Sequence, residues 1–239
     1  MTQRPLGTLW GVGIGPGDPE LMTVKAQRLL TTAAVVAFPA GRQGNPGVAQ
    51  AIIAPLLQPH QTQLPLYFPY VQDEATLTAA WQGAAAAVWE HLTQGQDVVF
   101  ATEGDASFYS TFTYLAQTLQ QAHPEVTVCT VPGVCSPLAA AAQLGQPLTL
   151  WRQRLTVLPA LYAIADLETA LDHADVVVLM KVASVYREVW QILERRSLLA
   201  QSCVVVRATQ PDARVYRPLT AYPDLALPYF SLLIINSGG

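Results

Sequence analysis

The chain has 239 residues, 51% of them hydrophobic and 13% charged, with a formal net charge of −4 and a mean hydropathy of +0.26. That length and apolar content suffice for one large or two modest globular domains, and no apolar run reaches the roughly 18 residues of a membrane-spanning helix. Lysine and arginine are absent between Arg42 and Arg152, which argues against a nucleic-acid backbone as partner. Cys129, Cys135 and Cys203 are odd in number and lack C-x-x-C spacing, so reduced thiols are expected rather than a disulfide framework or structural zinc. His60, His91, His123 and His173 stand far apart without a carboxylate at ligand spacing, and no resident metal is expected. The first six residues have no apolar core and no small-residue cleavage site, so a cytoplasmic protein is expected.

In chain order, a strand is predicted over residues 8–14, a helix over 20–31 and a strand over 33–38. A long helix follows over 73–93, a strand over 97–102, a helix over 108–121 with Phe108, Phe112, Leu115 and Leu119 at helical spacing, and a strand over 126–131. Strands alternating with helices predict βαβ units, so the fold class is α/β with a parallel sheet. Asp18-Pro19, Asn45-Pro46 and Ser136-Pro137 each place a capping side chain before a proline suited to a first helical turn. After a helix over 137–144, Gly145-Gln146-Pro147 breaks the pattern. Two α/β domains are therefore expected, 1–146 and 147–239. The second reads as strand 154–158, helix 166–173, strand 176–180, helix 184–195, strand 203–208, a short strand at Val215-Tyr216, and a closing strand over 230–235.

Three loops follow predicted strands. The first, Gly11-Val12-Gly13-Ile14-Gly15-Pro16-Gly17-Asp18-Pro19, has glycine at every second position. A dinucleotide fingerprint G-x-G-x-x-G fails there: counted from Gly13 the last position is Asp18, and counted from Gly11 it is Pro16. No G-K-[ST] follows, which also excludes a P-loop. Taken alone, the glycines are slightly better explained by a strand-to-helix turn that needs positive φ. The second loop runs from Thr102 to Thr111 and includes Glu103-Gly104-Asp105. The third is Val131-Pro132-Gly133-Val134-Cys135-Ser136-Pro137. In an open parallel sheet, ligands bind outside the carboxyl ends of the strands, where such loops meet. Asp105 and Ser107 as simple helix caps and Cys135 as a space-filling residue are the plain alternatives.

Together and in order these segments resemble the tetrapyrrole (corrin and porphyrin) methyltransferases. Val12 to Asp18 matches the family's V-G-x-G-P-G-D loop, Gly104-Asp105 its G-D loop, Val131 to Val134 its V-P-G-[VI] turn, and Met180 a methionine in a strand of the second domain. Gly7-Thr8-Leu9, Asp105 to Thr111, and Leu179-Met180-Lys181-Val182 are most similar to the enzymes methylating precorrin-2 or cobalt-factor II at C-20. Glu103 and Ala106 depart from the G-G-D-P of enzymes acting on uroporphyrinogen III.

The resemblance implies a homodimer whose two α/β domains hold S-adenosylmethionine in the cleft between them, and a tetrapyrrole as substrate. It assigns cofactor contacts to Pro16, Glu103, Gly104, Asp105, Phe108, Cys135, Ser136, Met180 and Ala208; Cys135 and Ala208 stand where Thr and Gly are common. The chemistry needs little beyond placement of an electron-rich meso carbon against an activated methyl group. Asp105 and Tyr109 are the candidates for a general base, with loop organiser the preferred reading of Asp105, and Arg42, Arg152 and Arg154, in or beside predicted loops, are candidates to bind the substrate's carboxylates. The rival readings are a transmethylase of the same fold acting on another carbon or substrate, and a protein that binds cofactor or tetrapyrrole without reacting.

Overall fold

A computed structural model of the chain describes residues 5–41, 46–69, 71, 73–161 and 163–238. The chain divides into two compact units, 1–135 and 136–239. The helix Ser136–Leu144 thus goes with the second unit, whereas the glycine-proline break suggested a division after it. Two hydrogen bonds account for this: Thr209 N donates to Gln143 Oε1 at 3.1 Å, and Arg217 Nη1 donates to the Leu144 carbonyl at 3.5 Å.

The first unit contains β1 (Thr8–Gly13), α1 (Val24–Thr32), β2 (Val35–Pro39), α2 (Val48–Ile53), β3 (Thr62–Leu66), α3 (Glu74–Leu92), β4 (Val98–Thr102), α4 (Thr111–Ala122) and β5 (Thr127–Val131). Its five strands are all parallel, in the order β3-β2-β4-β1-β5. Successive residues of a strand face opposite sides of the sheet, and both faces are buried here. Leu9, Val35, Ala37, Val98 and Phe100 pack with Val88 and Leu92 of α3 and Leu115 and Leu119 of α4. Val12, Val36, Phe38, Val99 and Ala101 pack with Ala26 and Leu30 of α1 and Ile52 and Ile53 of α2. Burial on both sides explains why these strands read as continuous apolar runs rather than alternating ones.

β3 went unpredicted, and of α2 only a start at Asn45-Pro46 was expected. α2 has six residues, too few to show a helical period, and β3 carries Pro65 in an edge strand, where proline's missing donor is tolerated. The expected helix over 20–31 splits into a 3-10 turn at Pro19–Leu21, capped by Asp18, and α1, capped by Thr23. α4 starts at Thr111 rather than 108 because Ser110 caps it, its hydroxyl accepting from Phe112 N at 3.1 Å. Asn45 lies outside the described residues; α2 begins after Gly47, which makes no side-chain cap bond.

The second unit contains α5 (Ser136–Leu144), β6 (Leu155–Leu158), α6 (Ile164–His173), β7 (Val176–Met180), α7 (Tyr186–Arg195), β8 (Ser202–Val206), β9 (Arg214–Tyr216) and β10 (Ser231–Asn236). The sheet order is β6-β7-β10-β8-β9. β6 and β7 are parallel, whereas β10 runs antiparallel to both β7 and β8, so β7 and β8 point the same way with β10 inserted between them. The helical crossovers through α6 and α7 keep β6, β7 and β8 codirectional; the final strand then fills the gap from the other direction. β8 ends at Val206, so Ala208, expected inside the strand, lies beyond it. Among the described residues no helix is long and apolar enough to cross a membrane.

Candidate functional site

The strand order brings the three glycine loops together. β4, β1 and β5 are neighbours, with Val12 level with Ala101 on one side and Val131 on the other, so the loops after these strands leave the sheet side by side at its carboxyl edge. Gly15 and Gly104 pair through their backbones: Gly15 N donates to the Gly104 carbonyl at 3.1 Å and Gly104 N to the Gly15 carbonyl at 2.8 Å. A Cβ on Gly13 would lie 2.7 Å from the Gly104 oxygen and 2.7 Å from Gly133 N, and one on Gly133 would lie 2.3 Å from the same oxygen. Each loop therefore occupies the side-chain space of the next. Gly11 serves a different purpose: its missing Cβ leaves room for the Phe112 ring of α4, which would otherwise be 2.2 Å away.

Asp105 ties the second loop to the third. One carboxylate oxygen accepts from Gly133 N at 2.7 Å, and the other accepts from Ser107 N at 2.8 Å and Ser107 Oγ at 2.6 Å. Burial of this residue, 8% exposed, pushes its carboxyl up, but the hydrogen bonds from Ser107, Gly133 and Phe108 outweigh that and hold it below the usual carboxylate range. Both oxygens face loop donors, so Asp105 is a loop organiser. Glu103 behaves oppositely. Burial raises its pKa against hydrogen bonds from its own backbone and from Ala49, whose N–H donates to Glu103 Oε1 at 3.1 Å in the first turn of α2. A side chain distant in sequence thus caps the helix that has no cap of its own. The far end of the second loop is pinned by a buried bond between the Thr102 and Ser110 hydroxyls at 2.9 Å.

Of the residues implicated by resemblance, the structure gathers Pro16, Glu103, Gly104, Asp105, Phe108 and Cys135 onto these three joined loops of the first unit. Asp105 is buried and the others are partly exposed. Tyr109, at φ +51, is 54% exposed and sits edge-on to the Phe108 ring with centroids 4.7 Å apart. Ser136 opens α5 of the second unit.

In the second unit, Met180 ends β7 and pairs with Leu232, while Val206 ends β8 and pairs with Ser231. Met180, Ala208 and the segment before β10 therefore emerge at one end of three adjacent strands. Arg154 is at the other end: its backbone N donates to Asp175 Oδ2 at 2.7 Å and its Nε lies 3.3 Å from that atom, beside the start of β7. Arg152 is exposed, in a turn closed by the Gln153 side chain on Leu150 N. These two arginines and Met180 are thus not brought together within the unit, and Arg42 lies outside the described residues. That same far end holds a cavity of 340 Å³, lined in part by Leu148, Cys203, Arg217 and Asn236. Burial pushes the Cys203 thiol up to about 11, against the opposing charge of Arg217 and a hydrogen bond involving Ile234.

Sequence reasoning missed the mutual contact of Gly13, Gly104 and Gly133, the capping by Glu103, and the left-handed Lys181 and Arg207 described below. The Asp105–Ser107 spacing was the one local signal of the loop bonds, since an Asx turn needs a donor two residues on. Cys129, Cys135 and Cys203 are free, and His91 and His173 bond Gln96 and the Thr169 carbonyl while His123 stacks on Trp89.

Joined glycine loops at the carboxyl edge of a parallel sheet, with a second α/β unit following in the chain, define a ligand-binding α/β class. The chain belongs to the tetrapyrrole (corrin/porphyrin) methylase family, whose model matches residues 8–222. It is 35% identical over 231 residues to the cobalt-precorrin-2 C(20)-methyltransferase of Salmonella typhimurium, covering 96% of each chain. It is also 35% identical over 240 residues to the cobalamin biosynthesis protein CobIJ of Mycobacterium tuberculosis, covering 97% of this chain and 46% of that protein, so it spans about half the length of that relative. In fold it is similar to uroporphyrin-III C-methyl transferase from Thermus thermophilus, solved with S-adenosyl homocysteine, at a TM-score of 0.71 and 24% identity over 97% of this chain and 93% of that one.

Proposed function

We propose that the chain transfers a methyl group from S-adenosylmethionine to C-20 of precorrin-2 or its cobalt complex. The observation that carries this is the junction of Gly13, Gly104 and Gly133, in a chain that is 35% identical over 96% of its length to a cobalt-precorrin-2 C(20)-methyltransferase. The loops fit the cofactor in their chemistry. Residues 43–151 contain no lysine or arginine, so the second and third loops meet the cofactor's methionine end with backbone donors and the partly exposed Gly104 and Cys135. Pro16 and Phe108 offer apolar surface, and in the second unit Met180 and Ala208 offer another. Ser136, at the start of α5, offers a partly exposed hydroxyl residue. Bound cofactor supplies a sulfonium-activated methyl group, which an electron-rich meso carbon accepts with loss of its own proton.

The protein's contribution is placement. Asp105 locks the second loop to the third and so presents Gly104 in its left-handed conformation, φ +70. Of the two base candidates only Tyr109 is exposed, and we assign it, rather than Asp105, to contact with the substrate. The test is incubation with precorrin-2 or its cobalt complex and methyl-labelled cofactor: a single label is expected on the meso bridge between rings A and D by carbon NMR. A label on another carbon would overturn the position. Cofactor binding without any S-adenosylhomocysteine formed would favour the non-catalytic reading, and the relative rates on the two substrates decide the role of cobalt.

We further propose a cytoplasmic homodimer. Trp151 is 100% exposed, with φ +47, beside Leu150 at 55% and ahead of the edge strand β6, where Leu155 is 41% exposed. A wholly exposed indole within such an apolar patch marks an interaction surface. Trp151→Ser is expected to weaken self-association at least tenfold in analytical ultracentrifugation; an unchanged dimer constant would rule this surface out.

A further inference from the structure

We infer that Lys181 is a substrate-positioning residue that binds a peripheral carboxylate of the tetrapyrrole, an assignment that rests on the methyltransferase reading above. Lys181 directly follows Met180 at the end of β7 and is exposed, with φ +54. Six non-glycine residues among those described have positive φ, and three of them, Lys181, Arg207 (φ +47) and Thr209 (φ +67), lie at this one end of the second sheet. A side chain in the left-handed region is held there against its own preference, and such positions concentrate where a ligand is handled.

The surroundings define the ligand's chemistry. β7, β10 and β8 are adjacent, so Lys181 and Arg207 flank Tyr229 and Phe230, the two residues that precede β10, and Arg207 N donates to the Phe230 carbonyl at 2.7 Å. The Lys181 ammonium lies 5.7 Å from the centre of the Tyr229 ring, which is 43% exposed and edge-on to Phe230 at 5.1 Å. Aromatic surface bordered by a cation suits a ring system with carboxylates on its rim. The two cations differ in one respect. Arg207 is paired with Asp212, whereas Lys181 forms no ion pair among the described residues. Its charge is left for an anion brought from outside the chain.

Lys181→Gly separates charge from backbone, because glycine adopts the left-handed conformation freely. The variant should fold as well as the wild type and bind S-adenosylhomocysteine with unchanged affinity in calorimetry. Its KM for precorrin-2 should rise about tenfold, the usual loss for one charged hydrogen bond, while kcat stays within about twofold. Binding of uroporphyrin, a stable carboxylate-bearing tetrapyrrole, should weaken in parallel, and the salt dependence of both should become shallower. Lys181→Arg should restore most of the affinity. An unchanged KM in Lys181→Gly, or an equal loss in Lys181→Arg, would overturn the assignment. A wild-type protein that binds cofactor but methylates neither precorrin-2 nor its cobalt complex would instead defeat the underlying reading, and this inference with it.

Discussion

Gly133→Ala is expected to lower stability by about 3 kcal/mol and to abolish binding of S-adenosylhomocysteine. The new methyl group would lie 2.3 Å from the Gly104 oxygen and 2.8 Å from the backbone carbon of Gly13. These are backbone atoms of two other loops, so no side-chain rotation relieves the overlap. Forcing even a small group into a filled space costs about 1–3 kcal/mol, and here the displacement also pulls Gly133 N away from Asp105, exposing a buried carboxylate oxygen to loss of its donor. Cofactor binding suffers because the three loops move together. The comparison variant is Gly83→Ala, in the middle of α3, where a Cβ meets nothing within 4 Å. It should stabilise by up to about 1 kcal/mol through helix propensity alone. Urea midpoints and calorimetric titration of both variants check the contrast; a neutral Gly133→Ala would mean that the loops do not interlock.

The second large effect is expected at Asp105. Asp105→Ala removes the acceptor for Gly133 N, Ser107 N and Ser107 Oγ at once, which should destabilise by about 2–4 kcal/mol. The wild type also carries a pH signature. Because the folded carboxyl titrates below its unfolded value of about 3.9, its stabilisation is complete above that value and is lost as pH falls through the still lower folded pKa. Glu103 acts in the opposite sense: its folded pKa is raised by burial, so its contribution is most favourable at low pH and diminishes as pH rises through the interval above the unfolded value. Comparing wild type with Asp105→Asn isolates the Asp105 part, since Glu103 is common to both. The difference in stability should be full at neutral pH and shrink below about pH 4. A difference that does not vary with pH would show that the carboxylate charge is not what these donors bind.

Much of the architecture was legible because its signals are local. The runs Val35–Pro39, Val98–Thr102 and Val176–Met180 are short, apolar and β-branched, and each is bounded by a helix with a periodic face, so element type and order follow from side-chain spacing. The residues of the three glycine loops were equally visible, since alternating glycines and Pro-bounded turns are properties of the chain itself. The extent of α2, and β3 altogether, were not, because six and five residues, the latter interrupted by Pro65, are too short to carry a period.

What the sequence alone determined about this protein is therefore its α/β class, the membership of its loops in one recognisable series, and the absence of cations from residues 43–151. Only the tertiary structure decided which strands are neighbours, and everything about the site depends on that. β1 lies between β4 and β5, which lets the loops at Gly15 and Gly104 share backbone bonds and explains why Gly13 and Gly133 must lack a side chain. It identified what Asp105 organises, because the partner of one carboxylate oxygen, Gly133, is 28 positions away. The insertion of β10 between β7 and β8 likewise set Lys181 beside Tyr229. Pairings of this kind are won by the summed burial of two sheet faces rather than by any single residue, and so leave no mark in the local sequence.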